Sequence, residues 1–219
     1  MNRSEFYNTL RARVYGGSLS QKQVDGIEAL LAATEGLPIT YRSYLMATAL
    51  HETAHTMQPI AEYGKGKGRP YGAKGKHGQA QYGRGYVQLT WDANYEKADK
   101  ALGLNGALLK DFNLAMQPTI AAKILVRGCV EGWFTGKKLG DYLPADYVGA
   151  RRVVNGTDRA AQIADYARGF EAALALAHVN ETPKPEHVAP VVLTKSRFAW
   201  VGEVLAGLFA WLAKLRSAK

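Results

Sequence analysis

Residues 63–85, YGKGKGRPYGAKGKHGQAQYGRG, hold 8 Gly in 23 positions and no aliphatic side chain larger than Ala. A stretch with nothing apolar to bury cannot form a wall of a core, and glycine at that density sustains neither helix nor strand. The flanking sequence must therefore fold without it and carry it at the surface as a long irregular loop. Loops of that length inside a compact domain are usually functional or mobile. Charge collects in the same place. The 219 residues carry 28 Lys and Arg against 19 Asp and Glu, a formal net charge of +9. Residues 63–90 contain six basic side chains (Lys65, Lys67, Arg69, Lys74, Lys76, Arg84) and no acidic one, so two-thirds of the excess lies there. That balance points to a polyanionic partner. Nucleic acid fits least, because the basic residues sit among glycines rather than along a recognition helix.

The chain on either side reads as helical. The N-terminal segment MNRSEFYNTLRARVYGG reads as a short helix stopped by Gly16-Gly17, and Ser20 is placed to cap a second with Val24, Ile27, Leu30 and Leu31 at helical spacing. Thr40 is placed to cap a third, YRSYLMATALHETAHTM, which Pro59 ends. YVQLT (86–90) reads as a short strand, and helical patterns resume at 92–102, 117–134, 145–154 and 158–178. The expected architecture is mainly α with a short β element over residues 1–178. Residues 179–196 contain three prolines and no periodicity and read as a linker. Residues 197–219 hold the apolar run 198–215 between basic flanks, a C-terminal hydrophobic helix suited to membrane or anionic-lipid contact. The hydrophobic fraction of 47% excludes wholesale disorder, and a single cysteine, Cys129, excludes a disulfide framework or a thiolate zinc cluster.

Two chemistries start from one helix. His51-Glu52-Thr53-Ala54-His55 is a literal H-E-x-x-H, which on a continuous helix sets both imidazoles on one face for zinc, with the glutamate as base. The remaining histidines, His77, His178 and His187, have no telling spacing, and a carboxylate is the other candidate for a third ligand. The other chemistry needs no metal or cofactor. Glu52 on the helix and Glu62 at the mouth of the loop form a carboxylate pair able to divide acid and base roles in glycoside hydrolysis.

The segment Tyr82-Gly83-Arg84-Gly85-Tyr86-Val87-Gln88-Leu89-Thr90, followed by Asn94-Tyr95, bears on the choice. With the upstream HET it resembles the family 19 glycoside hydrolases, the chitinases and the related lysozyme-like phage endolysins. Val153-Val154-Asn155-Gly156, Gln117-Pro118 and Trp133-Phe134 extend the resemblance over about residues 40–175. The short Glu52–Glu62 interval and the absence of paired cysteines are closer to the phage endolysins than to the plant chitinases. Two departures stand out: Ala54-His55 replaces a frequent Gly-Gly, and the basic loop has an unusual composition.

The resemblance implies a lysozyme-like helical fold and an inverting mechanism. Glu52 would be the general acid, Glu62 the general base, and Thr90 would position the attacking water. Gln88, Asn94 and Asn155 would bind sugar N-acetyl and hydroxyl groups, since amides offer donors and acceptors without charge. Tyr82 and Tyr86 would stack on sugar faces; Trp91 is read equally as a stacking or a core residue. Arg84, between two glycines, reads as a structural clamp, and the loop lysines are expected to face away from Glu52. The favoured substrate is peptidoglycan, whose carboxylates suit a basic loop, with chitin oligomers as the alternative. No secretory signal opens the chain. The expectation is a monomer held in the host cytoplasm until release to the cell wall at lysis.

Overall fold

A computed structural model of the chain describes residues 1–179. The linker and the C-terminal helix expected at 179–196 and 197–219 lie, apart from Val179, outside the described residues.

The helices begin where side chains can cap them. Asn2 accepts from the Glu5 backbone N–H and opens α1 (Arg3–Arg13). Ser20 and Gln23 form a reciprocal capping box at the start of α2 (Gln21–Ala33), as the sequence predicts. α3 (Ile39–Glu52) differs: it follows Pro38, with no side-chain cap, so Thr40 lies inside the helix. Every residue of α3 from Ser43 to Leu50 is buried. A helix hidden on all sides is central to its domain, and α3 packs principally against α7 (Ala160–Val179), which also receives α1. The buried Ser43 hydroxyl donates to the Thr40 carbonyl at 3.0 Å and lies 3.1 Å from Tyr147 Oη. The backbone N–H of Asn2 bonds the carbonyl of Ala177 at 2.9 Å, so the first and last described helices are tied together.

Between α3 and the second helical group lie β1 (Ile60–Ala61) and β2 (Arg84–Gly85), antiparallel, with Ile60 opposite Gly85 and Ala61 opposite Arg84. The glycine-rich stretch is the excursion between them. It contains a 3-10 turn at Pro70–Gly72 and an isolated bridge between Lys74 and Ala80, more regularity than the sequence suggests. YVQLT is not a strand. Gln88 (φ 52°) and Trp91 (φ 74°) are left-handed, and the run forms a tight turn after β2. The remaining helices are α4 (Asp92–Leu102), α5 (Ala107–Lys110) and α6 (Pro118–Glu131), with α2 packed on α6. The pattern at 145–154 yields only a 3-10 turn, Gly149–Val153, whose buried arginine is taken up below.

Candidate active site

Glu52 is the last residue of α3. The Thr53 hydroxyl donates to the Ala49 carbonyl at 2.7 Å and accepts from the Met57 backbone N–H at 3.1 Å, and the chain leaves the helix through left-handed Ala54 (φ 48°), His55 (φ 67°) and Met57 (φ 54°). The expected continuation of this helix beyond Thr53 does not form. The two histidines of the H-E-x-x-H string consequently share no helix face. His55 lies edge-on to Tyr166, its Nε2 3.2 Å from that phenol, whereas burial holds the His51 imidazole below its ordinary proton affinity. Among the described residues no group of three or more His, Cys, Asp or Glu side chains is arranged to hold a metal ion.

The segment after the helix is pinned to α2. Gln23 Nε2 donates to the His55 carbonyl at 2.9 Å, and Gln58 Nε2 to the Lys22 carbonyl at 2.6 Å. Gly26 lies so close to Met57 that a Cβ there would sit 1.7 Å from its carbonyl oxygen. This connection delivers the chain to β1 and then to Glu62.

Glu52 and Glu62 line one cleft of about 520 Å³, together with Tyr71, Gln88, Thr90, Trp91, Asn94, Phe134 and Asn155. Glu52 Oε1 accepts from Arg151 Nη1 at 2.6 Å, a pair whose side chains are 16% and 3% exposed. Arg151 Nε donates to the Asp158 carbonyl at 3.0 Å, so the guanidinium is anchored at both ends. Glu62 is gripped differently: Tyr71 Oη donates to Oε1 at 3.1 Å and the Gly83 backbone N–H to Oε2 at 3.3 Å. Desolvation, and then the Glu62 carboxylate, push the Tyr71 phenol above its ordinary value, which keeps it a donor. Neither Arg151 nor Tyr71 is picked out by the sequence reading.

Arg84 is the clamp the sequence predicts. Buried, it donates to the carbonyls of Ala80 and Tyr82 and to Tyr95 Oη, each at 3.0 Å, and to Asn113 Oδ1 at 3.2 Å. Gln88 Nε2 ties the carbonyls of Ile60 and Gly85, both at 3.1 Å, and so locks the turn to both strands. Its Oε1 stays at the Gly83 wall, where a Cβ would approach to 2.9 Å. The Thr90 hydroxyl donates to the Gln88 carbonyl at 2.8 Å, and Asn94 Nδ2 to the Thr90 carbonyl at 2.8 Å. Asn155 Oδ1 accepts from the Gly156 backbone N–H at 2.9 Å.

Five of the polar residues expected at the site, Glu62, Gln88, Thr90, Asn94 and Asn155, therefore share the cleft with Glu52. The two tyrosines do not. Tyr82 lies beneath the Arg84 guanidinium, 3.6 Å from its ring centre, and outside the cleft lining. Tyr86 is 1% exposed within the core, where burial pushes its phenol up to about 12. Trp91 takes the place in the cleft wall: it is 45% exposed and meets the Tyr71 ring edge-on at 5.7 Å. No loop lysine pairs with Glu52, whose cationic partner is Arg151.

No protein-family model matches the chain. An endochitinase from Arabidopsis thaliana is 29% identical over 164 residues, 69% of this chain and 54% of the relative, so the chain spans about half that enzyme's length. The structure of chitinase C from Streptomyces griseus superposes with a TM-score of 0.52 at 22% identity, covering 80% of this chain and 75% of that one. A family 19, class IV chitinase from Zea mays gives 0.49 at 21% identity, over 78% and 90% of the two chains. At 22% identity the likeness to chitinase C is one of fold, a mainly helical domain with a short β element.

Proposed function

We propose that this chain is a glycoside hydrolase of the endolysin type, cutting the glycan strand of peptidoglycan with inversion for host cell lysis. The observation that carries the hydrolytic reading is the pairing of Glu52 and Glu62 in one cleft, each held by its own donors. Glu52, a carboxylate paired with Arg151 in the free protein, takes up a proton when substrate displaces water from the cleft and gives it to the glycosidic oxygen. The carboxylate left behind is stabilised by Arg151, already in place at 2.6 Å. Glu62, oriented by Tyr71 and Gly83, takes a proton from the water that attacks the anomeric carbon. The Thr90 hydroxyl, whose own proton goes to the Gln88 carbonyl, accepts a hydrogen bond from that water and fixes its approach. Asn94 Oδ1 and Asn155 Nδ2, the amide atoms without a hydrogen bond among the described residues, take sugar N-acetyl and hydroxyl groups, and Trp91 offers a face for stacking. Gln88 acts chiefly by holding the turn.

Peptidoglycan is favoured over chitin by the short Glu52–Glu62 interval, the single cysteine and the basic loop. Hydrolysis of chitin oligomers is the second reading, supported by the similarity to an endochitinase. The endolysin reading carries with it storage in the host cytoplasm until release to the wall, a monomeric enzyme, and the apolar run 198–215 as a membrane-seeking element.

A digest of purified peptidoglycan tests the proposal. New reducing ends without new free amines, no effect of chelator, and loss of about 10²–10⁴-fold in kcat for Glu52→Gln and for Glu62→Gln are expected. Free amines and inactivation by chelator would return the H-E-x-x-H peptidase reading. Faster turnover of chitin oligomers than of wall would favour the second substrate.

A further inference from the structure

The excursion between β1 and β2 is folded on itself. Successive turns bond Lys65 N to Glu62 O, Lys67 N to Gly64 O and Arg69 N to Gly66 O at 2.8–2.9 Å. Gly66 and Gly72 touch through their backbones: a Cβ on Gly66 would sit 2.6 Å from Gly72 Cα, and one on Gly72 only 2.0 Å from Gly66 O. The Tyr71 carbonyl accepts from the Gln81 N–H at 2.9 Å, its ring meets Trp91, and its phenol holds Glu62. The loop is thus built into the cleft wall.

Its charges are not matched within the fold. Lys76 pairs with Glu96 at 2.7 Å, but Lys65, Lys67, Arg69 and Lys74 are exposed and have no acidic partner among the described residues. Tyr63, 78% exposed, stands at the loop's root beside Glu62. The cleft is the reverse. It holds two carboxylates, amides and a hydroxyl, and the cation beside it, Arg151, is committed to Glu52 and the Asp158 carbonyl. Such a cleft suits neutral sugar groups and repels a strand that carries its own carboxylates. With a screening length of roughly 8 Å at physiological salt, only cations at the cleft's edge can offset that repulsion.

We infer that this basic loop is a substrate-selecting surface, which takes the carboxylates of an acidic glycan strand outside the cleft and so separates it from neutral chitin. The inference rests on the glycan-cleaving reading above and deepens it. Its prediction is a salt-dependent advantage in binding and KM on acidic strands, with kcat set by the cleft.

The test uses full-length Glu62→Gln protein, so that binding is read without turnover, with and without Lys67→Gln/Arg69→Gln/Lys74→Gln. Lys65 is left in place because its φ of 45° already strains the turn. Sedimentation with purified peptidoglycan at 25 and 250 mM NaCl should show the triple variant about tenfold weaker at low salt and nearly equal to its parent at high salt. Binding to chitin should be unchanged, as should the melting temperature. Amidating the wall carboxylates should remove the difference, and extracting wall phosphodiester polymers should leave it. Equal wall binding by both proteins, equal loss on chitin, or a difference that disappears when the phosphodiester polymers are extracted would overturn the inference. If the unmutated enzyme releases no reducing ends from either polymer while the triple variant still loses wall binding, the hydrolytic reading fails and the loop's anion selectivity stands.

Discussion

Replacing Arg151 by Met keeps most of the side chain's length and deletes one half of an ion pair at the cleft wall. Arg151 is 3% exposed and Glu52 16%, with 2.6 Å between Nη1 and Oε1. Removing one partner of a buried pair generally costs about 3–5 kcal/mol, because the other charge stays behind uncompensated. Glu52 borders an open cleft that water can enter, which places the cost near the lower end, about 3 kcal/mol. The Asp158 carbonyl that Arg151 Nε also holds belongs to an exposed residue, so solvent replaces that bond. For a domain of this size, about 3 kcal/mol corresponds to a fall in Tm of roughly 6–12 °C. Glu52→Gln alone leaves a buried guanidinium facing an amide and is also destabilising. The double variant removes both charges, so the single losses should exceed the double by about 2 kcal/mol. Thermal and urea unfolding at pH 7, followed by circular dichroism on all four proteins, give the cycle. A loss below about 1 kcal/mol in Arg151→Met, or energies that simply add, would refute the claim that the pair holds the acid in place.

Two further outcomes are expected. Gly26→Ala puts a Cβ 1.7 Å from the Met57 carbonyl oxygen, so the segment joining Glu52 to Glu62 must shift. A lower urea midpoint, corresponding to about 1–3 kcal/mol of lost stability, should accompany reduced kcat, and an unchanged midpoint would rule out the close approach. The third concerns pH. Burial holds His51 below the ordinary 6.5, so the unfolded chain binds a proton that the folded chain resists. Stability is therefore complete above about pH 6.5 and declines as pH falls through that value toward the folded one. His178, also lowered by burial, adds with the same sign. Melting temperatures from pH 7 to 5.5 should decline, and less steeply in His51→Gln; an unaltered slope in that variant would contradict this account.

The sequence made legible whatever depends on local pattern. Ser20 and Gln23 announced α2, apolar spacing announced α4, α6 and α7, and the glycines flanking Arg84 marked a buried clamp. Features set by tertiary packing were hidden. Nothing local distinguishes Arg151 from its neighbour Arg152; only its separation of 99 residues from Glu52, closed by the fold, gives it a partner. Tyr71 lay in a stretch without periodicity, and its role appears once the loop folds back on Gly66. The end of α3 is not marked in the sequence, because Thr-Ala-His-Thr continues a helical composition while the Thr53 hydroxyl draws the Met57 N–H and turns the chain. Tyr86, expected to stack on sugar, is buried in the core, and Trp91, which the sequence leaves open between stacking and core, lines the cleft.

The bond between Asn2 N and Ala177 O makes the described domain almost a closed circuit. Every residue assigned to the cleft lies between positions 52 and 155, well inside that circuit. Where the chain starts is then a matter of connectivity alone. Joining the end of α7 to the start of α1 and reopening the chain at the exposed Gly17–Ser18 turn would leave each cleft wall on the same stretch of backbone. Such a circular permutant offers protein engineers a second pair of ends, set away from Glu52 and Glu62 in sequence, for attaching a wall-targeting module.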